Sequence, residues 1–496
     1  MGRINTNIAS MIAQNNLRRS QEDMSVSLQR LATGLRINKG SDDPAGLIIS
    51  ERLRSEMQGL TQAITNSERA SSVIATAEGY LAEVSDMLNS IKSLVVEASN
   101  SAAISPEEVQ ANQLQIDSAI DSITRISNTA SFAGLQLLNG SLEYTTEGIN
   151  GTEIAGVSVH SVQFGTSGSI DVQAEILTPA EKATLFVEGD ADSFAAGALS
   201  EDLTLEIAGA KGVQTVSFAA GTGLDSVVDA INLVSDSTGV TASMVDPADA
   251  TAGFTIESEG YGSEAFVSAR AVGSGGDNFA AYQTAGDPAS ASQRDEGVDV
   301  QVLINGAIAS GRGLSSMLNA PTLSLDMDFS ESFATSVAGT TSSFQITGGG
   351  ASFQLGPEVN SALQVGVGIN SVAASRIGGT SINGDRFHLD SLKSGMQHAL
   401  SSDKMQGASE ILENAITEIA IMRGRLGAFE RNTIQTNIRT LQIGLENLTS
   451  SESLIRDADF ATETAALTRA QILNQAGTSV LATANASAQS VLALLG

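Results

Sequence analysis

Three histidines, His160, His388 and His398, and no cysteine are what this chain of 496 residues offers for metal binding or nucleophilic catalysis. No two of the histidines stand at a metal-ligand spacing such as H-E-x-x-H, and without thiolates a cysteine-type zinc site is impossible. His388 and His398 lie in a polar stretch and read as surface or packing residues. Asp295-Glu296 and Asp326-Met327-Asp328 come nearest to a carboxylate pair, but residues two apart in a strand share one face, and a solvated acidic face accounts for them. Gly348-Gly349-Gly350 and Gly366-Val367-Gly368 lack the strand, helix and lysine of a phosphate loop. Asn139-Gly140-Ser141 and Asn150-Gly151-Thr152 fit the N-glycosylation pattern, three positions that carry little by themselves. These residues point to a chain with no catalytic site, no metal and no cofactor, and the chemistry left to explain is that of surfaces.

Composition narrows the class. The net charge of −30 would repel phosphate backbones, so nucleic acid is excluded as a partner. Aromatic residues make up only 4% of the chain and tryptophan is absent. That favours helix seams of Leu, Ile, Val and Ala over a ring-filled enzyme core. The N-terminal stretch has no apolar run of the length a secretory signal needs, so export would need another route.

The elements that position those surfaces are long helices at both ends. Residues 470–496 carry no charge, and steps of four and three give the seam Ala470, Leu473, Gly477, Val480, Ala484, Ser487, Val491 and Leu494. Its many small residues bury too little to hold a lone helix, and its amides are too numerous for a membrane span, so no membrane insertion is expected. Its natural partner is the N-terminal stripe through Leu17, Met24, Leu28, Leu31 and Leu35.

A cleaner heptad begins at Leu60 and includes Ile74, Leu81, Val84, Leu88, Ile91 and Val95. Ser105-Pro106-Glu107-Glu108 then predicts a capped helix start, and Ile116 and Ile123 lie on the buried face of that helix. Leu412, Ile416, Ile419, Met422, Leu426 and Phe429 form a further stripe near the C-terminus. It continues as Ile434, Ile438, Leu441, Leu445 and Leu448 after a break at Arg431 and Asn432. The Asn139-Gly140 turn is expected to close the N-terminal helical run.

Between these halves the chain changes character. Residues 151–350 hold 26 acidic and 5 basic residues, so −21 of the total charge lies here. Period-two segments around Val157, Leu203, Thr241, Val300 and Thr322 predict strands, and residues 224–234 predict one helix among them. The pattern is that of small α+β modules projecting an acidic surface.

Leu28 to Leu60, LQRLATGLRINKGSDDPAGLIISERLRSEMQGL, closely resembles the N-terminal signature of bacterial flagellins. ILNQAGTSVLATANASAQSVLALL at the other end resembles their C-terminal signature. Together the resemblance covers roughly residues 1–140 and 405–496, and 213–245 is similar to a module often inserted in the family.

The fold class expected is a mainly α rod in which both termini form long antiparallel heptad helices, coiled coil plus helical bundle, with inserted α+β and β-rich outer domains. The domains expected are 1–42 with 456–496 as the terminal coiled coil, 43–150 with 351–455 as a helical rod with a short β segment, and 151–350 as outer domains. The resemblance implies a structural subunit that polymerises head to tail into the extracellular flagellar filament. It implies the partners of that family: copies of itself, an export chaperone, the filament cap and hook-junction proteins. A hook-filament junction protein and a filament-displayed enzyme are the alternatives. Family members recognised by the vertebrate innate receptor carry Q-R-V-R-E-L where this chain has Asn89-Ser90-Ile91-Lys92-Ser93-Leu94. Ser90 offers none of the planar donors of an arginine, so receptor activation is not expected at Ser90, Lys92 and Leu94.

Overall fold

The computed structural model describes residues 6–493 apart from 101–103, 166–167, 189–193, 196, 250–251, 273–278, 285–289, 383–384 and 401–404. The chain opens with α1 (Ile8–Thr33), α2 (Pro44–Ala98) and α3 (Pro106–Thr129). Gly34 ends α1 in a left-handed conformation at φ 71°, where a Cβ would be strained, and its N–H donates to Arg30 O at 2.8 Å. Pro44 begins α2 at the first helical position, where its missing N–H costs nothing, and the Asp43 carboxylate accepts from Gly46 N–H at 2.9 Å. The capping box of α3 is complete. Ser105 Oγ accepts from Glu108 N–H at 3.3 Å, and Glu108 Oε2 accepts from Ser105 N–H at 2.8 Å.

The end of this helical run differs from the expectation. Helix α3 stops at Thr129, ten residues before Asn139-Gly140, because the chain first turns through a small hairpin, β1 (Ser131–Phe132) against β2 (Leu135–Gln136). Ala133 and Gly134 take positive φ at its tip.

The middle is β-rich. In chain order it holds β3 (Tyr144–Glu147), β4 (Ile154–Val162), β5 (Ile170–Thr178), β6 (Lys182–Val187), the short β7 (Phe194–Ala195) and β8 (Ala198–Leu199), β9 (Leu203–Gly209) and β10 (Gly212–Phe218). Helices α4 (Leu224–Leu233) and α5 (Ser235–Thr238) precede β11 (Val240–Met244), β12 (Phe254–Tyr261), β13 (Phe266–Ala271) and β14 (Arg294–Glu296). Then come β15 (Gln301–Ile304), β16 (Ala307–Arg312), β17 (Ser315–Asn319), β18 (Leu323–Phe329), α6 (Glu331–Ala334) and β19 (Thr341–Gly349). The five period-two segments and the single predicted helix all lie within these elements or extend them by one residue.

The C-terminal helices are α7 (Met405–Phe429), α8 (Gln435–Arg456) and α9 (Phe460–Ala493). Between α7 and α8, Glu430–Ile434 is a π-helical turn. The apolar stripe steps five residues there, from Phe429 to Ile434, which is the i to i+5 spacing of such a turn.

Two compact units result: Met1–Ile74 with Phe353–Gln364 and Gly427–Gly496, and Ala75–Ser352 with Val365–Leu426. In the first, α2 lies along α8, with Leu60 and Ala63 packed on Leu441 and flanked by Ile64, Leu445 and Leu448. Asn437 Nδ2 donates to Ser67 Oγ at 3.2 Å and to Leu355 O at 2.8 Å. In the second, the later part of α2 meets α7, with Lys92 Nζ 3.0 Å from Glu413 Oε1.

The second unit also holds an eight-stranded sheet in the order β3-β19-β5-β15-β16-β17-β18-β4. Its core is aliphatic, built from Val172, Ile176, Val302, Leu325 and Ile346 among others. A separate module of two smaller sheets, β10-β9-β13-β14 and β11-β12-β6, packs around α4 with its own core of Leu205, Ile207, Val227, Ile231, Phe254 and Ile256.

Candidate functional site

The surface with the most to explain is the pair α1 and α9. Asn7 Oδ1 caps α1 by accepting from Ser10 N–H at 3.1 Å, while Asn7 Nδ2 donates to Ala484 O at 3.0 Å. Ser10 Oγ meets Asn485 Oδ1 at 2.9 Å, and Arg30 Nη1 lies 3.7 Å from Glu463 Oε2 at the other end. Residue numbers rise along α1 as they fall along α9.

The connection beyond Gly34 is held by backbone. Ala458 N–H donates to Gly34 O at 2.9 Å and Arg36 N–H to Arg456 O at 2.6 Å. Asp459 starts α9, taking Thr462 Oγ1 at 2.9 Å, Thr462 N–H at 3.3 Å and Ala461 N–H at 2.8 Å. Those bonds, the Thr462 hydroxyl first, hold its carboxyl below the ordinary value.

Between the two helices the seam is narrow. On α1 it runs Ser10, Ala13, Leu17, Ser20, Met24, Ser27 and Leu31, all buried or half-buried. On α9 it runs Glu463, Leu467, Ala470, Asn474, Gly477, Leu481 and Ala484. Both take three-four steps. At Gly477 a Cβ would stand 3.3 Å from Leu17 Cδ1 and 3.8 Å from Leu17 Cα, so glycine lets the two backbones approach.

Several residues expected in the seam therefore lie outside it within the chain. Leu473 and Val480 are exposed, with Asn474 and Leu481 turned inward one place further on. Leu28 is exposed beside buried Ser27. The physical reason is the close approach at Ser10, Ala13, Ser20, Ser27, Ala470 and Gly477, whose small side chains set the facing line of each helix; Leu17, Met24, Leu31, Leu467 and Leu481 share that line, and Leu28, Leu473 and Val480 fall beside it. The side chains of Ser487 and Val491 and all of Leu494 lie outside the described residues. Leu17, Met24, Leu31, Leu35, Gly477 and Ala484 are half-buried. Ser10, Ser20 and Ser27 escape a search for a hydrophobic stripe, which is found by its large residues. Their regular spacing with Ala13 and Leu17 is the signal that would find them.

What the pair leaves outside is apolar. Ile8, Met11, Ile12 and Leu28 on α1, and Phe460, Ile472, Leu473 and Val480 on α9, are each about half exposed or more, up to 63% for Ile472. Large apolar side chains gathered on the outside of a helix pair are the kind of patch that marks an interaction surface.

The packing residues of the long helices are placed differently. Ile74, Leu81, Val84, Leu88, Ile91, Val95, Ile116, Ile123, Ile434, Ile438 and Leu441 are buried, and Leu445 is half-buried. Ile120, off the strict heptad of α3, is buried as well. Ser90 is exposed, while Lys92 and Leu94 are half-buried.

The Asp326-Met327-Asp328 pair requires a correction. It is not a simply solvated face: Asp326 Oδ2 takes Arg425 Nη2 of α7 at 2.7 Å and lies 3.0 Å from His160 Nε2 of β4. Arg425 also touches His160. Asp328 takes Arg386 Nη2 at 3.1 Å. Strand alternation does put both carboxylates on one face, but the helix laid over that face supplies a guanidinium group, which a strand pattern cannot reveal.

Burial alone would raise the Asp326 carboxyl; the hydrogen bond and charge of His160, then those of Arg425, outweigh it and hold the group below its ordinary value. A depressed folded value stabilises the fold fully above the unfolded value of about 4 and is lost as pH falls through the folded one. Wild type and Asp326→Asn are therefore expected to differ in denaturant midpoint at neutral pH and to converge below about pH 4. A difference that persists unchanged in acid would show that the carboxylate charge is not the cause. His398 is buried, its ring edge-on to Phe387 at 4.7 Å, and His388 is half-buried, so both pack.

Among the described residues no group of three or more histidine, aspartate or glutamate side chains could hold a metal ion, and no helix is long and apolar enough to cross a membrane.

The comparisons with known proteins agree at both ends. The model of the bacterial flagellin N-terminal helical region matches residues 4–143, that of the C-terminal helical region matches 409–495, and that of the flagellin hook IN motif matches 202–259. The chain is 30% identical to the B-type flagellin of Pseudomonas aeruginosa and 28% identical to the flagellin of Salmonella typhimurium, in each case over 99% of both chains. Among solved structures, the Xanthomonas campestris FlgL is 12% identical at a TM-score of 0.26, covering 79% of this chain and 97% of that one. The Escherichia coli flagellar cap protein FliD D1-D2-D3 domains are 14% identical at 0.27, covering 70% and 74%.

Proposed function

This chain belongs to the bacterial flagellins and is a structural subunit of the flagellar filament, and from that premise we propose that its α1 and α9 form an antiparallel coiled coil completed by other copies. The observation that carries the reading is the apolar face that the pair leaves outside, Ile8, Met11, Ile12 and Leu28 on α1 with Ile472, Leu473 and Val480 on α9. These side chains are already about half covered, so burying the rest of each outward Ile, Leu or Val contributes about 1 kcal/mol, half the full burial value, a gain open to a polymer and closed to a lone chain. Contacts that repeat head to tail without closing extend into a helical array.

In this reading 1–42 with 456–496 form the inner layer, 43–150 with 351–455 the rod, and 151–350 the outward domains. The large acidic excess of the last keeps the outer surface solvated. The subunit does no catalysis, is not inserted in a membrane, leaves the cell by the family's export route, and meets the export chaperone, cap and hook-junction proteins as the family does. The full-length likeness to flagellins favours a filament subunit over a junction protein.

Electron microscopy of the purified, concentrated chain tests this. Long filaments of uniform diameter are the expected result, and a chain that stays monomeric at every concentration and salt would refute it.

A further inference from the structure

The module between β6 and β14 has two small sheets and hence four edges, three of which are closed. At β11 the Asn232 carboxamide donates to Ala242 O at 2.9 Å and accepts from Ala242 N–H at 2.8 Å, standing in for a neighbouring strand. At β6, Phe186 exchanges backbone hydrogen bonds with Tyr282 at 2.8 and 2.9 Å. The third edge, β14, has only three residues and is charged, with Arg294 and Glu296 paired at 3.0 Å. Short length, charge and covering are the ordinary ways of blunting an edge.

Among the described residues, the fourth edge, β10, has none of them. It is seven residues long, pairs with β9 without a register shift, and contains no proline and no charged residue. Val213, Gln214, Thr215 and Ser217 are exposed. Among the described residues, no backbone hydrogen bond from outside β9 reaches Val213–Phe218.

We propose that β10 is the edge through which the outer modules of two copies of this chain join, β10 against β10 and antiparallel, into one continuous sheet. Three arguments select a second copy as the occupant. A filament holds copies of this module close together, and for this local concentration alone the inference rests on the filament reading. Acidic modules repel one another over most of their surface, and β10 is a neutral window in it. Because the other three edges of the module are closed, the matching open edge on a second copy is β10 itself. The contact is isologous, so it joins modules two by two instead of repeating from subunit to subunit.

The absence of cysteine supplies the test. Residues directly opposite in an antiparallel pair have Cα atoms about 4.5–5.5 Å apart, within the disulfide range of about 4.4–6.8 Å. Thr215 is the midpoint of the strand. Oxidised filaments of Thr215→Cys are expected to yield disulfide-linked dimers as the main species on a denaturing gel. Ser226→Cys, on the exposed face of α4, is expected to yield few. Adding Val213→Glu and Ser217→Glu to the Thr215→Cys chain sets like charges directly opposite each other on both sides of the cross-link and is expected to cut the dimer yield several-fold.

Dimer no greater than in the Ser226→Cys control, in filaments seen to be intact, would overturn the proposal. Filament formation is scored separately by electron microscopy. Should a variant not polymerise, the same cross-link is read on the concentrated soluble chain, where its absence overturns the proposal too.

Discussion

Deletion of residues 470–496 is expected to abolish filament formation while leaving the Ala75–Ser352 and Val365–Leu426 unit folded. The deletion removes Ala484 and Asn485, the partners of Asn7 and Ser10, and Gly477, against which Leu17 packs. What remains of the pair is α1, 26 residues long, against only the first ten residues of α9, and a helix with so short a partner is marginal in water. The second unit keeps every residue of its two cores. Circular dichroism should therefore retain the strand signal and lose helix, and sedimentation should show monomer only.

A point substitution, Gly477→Leu, separates the seam from mere chain length. Its side chain has no space beside Leu17 and forces the backbones apart, so a large loss of polymerisation is expected here too. Filaments of normal length from either chain would mean that the α1–α9 pair is not what copies assemble through.

Tyr144→Ala is expected to destabilise the second unit by about 3–5 kcal/mol, the usual cost of emptying a large aromatic site. Tyr144 is buried on β3 in the core of the eight-stranded sheet, and burial pushes its phenol above the ordinary value. Its hydroxyl accepts from Val162 N–H of β4 at 3.2 Å, so one side chain links the two outer strands of the sheet. Around it the chain is stripped to glycine. A Cβ on Gly350 would meet the Tyr144 ring at 2.5 Å, and one on Gly366 the hydroxyl at 2.4 Å. A Cβ on Gly368 would meet Val159 O at 2.4 Å.

Gly368→Ala is the sharper companion. Alanine for glycine commonly stabilises by about 0.4–1 kcal/mol when the site accepts it. Here the clash is with backbone and cannot be relieved by a rotamer, so a lower denaturant midpoint is expected. Unchanged midpoints for both variants would show that the ring and its glycine cradle do not hold the sheet together.

These glycines illustrate what is hard to read from sequence. Gly348 to Gly350 and Gly366 to Gly368 stand out there as glycine clusters, yet they lack the surroundings of a phosphate loop and nothing local gives them another role. Their occupant, Tyr144, is more than 200 residues away, and no local pattern couples them. The Asp326 and Arg425 pair is alike in this. Each residue is ordinary in its own element, and the interaction exists only because a helix near the C-terminus lies across strands from the middle of the chain.

The sequence by itself determined the long helices and several of the strands, because repeats of three-four and of two steps and the cap at Ser105 are local properties of the chain. It also determined the family, through long signatures at both ends. Only the tertiary structure decided which side of each terminal helix faces its partner. Periodicity locates a stripe, but two adjacent lines on one helix can both be regular, and only the partner's position selects Ser27 over Leu28, Asn474 over Leu473 and Leu481 over Val480. Which sheet edges are closed was decided in the same way, since the carboxamide of Asn232 satisfies Ala242 through space and leaves no mark on the strand that it protects.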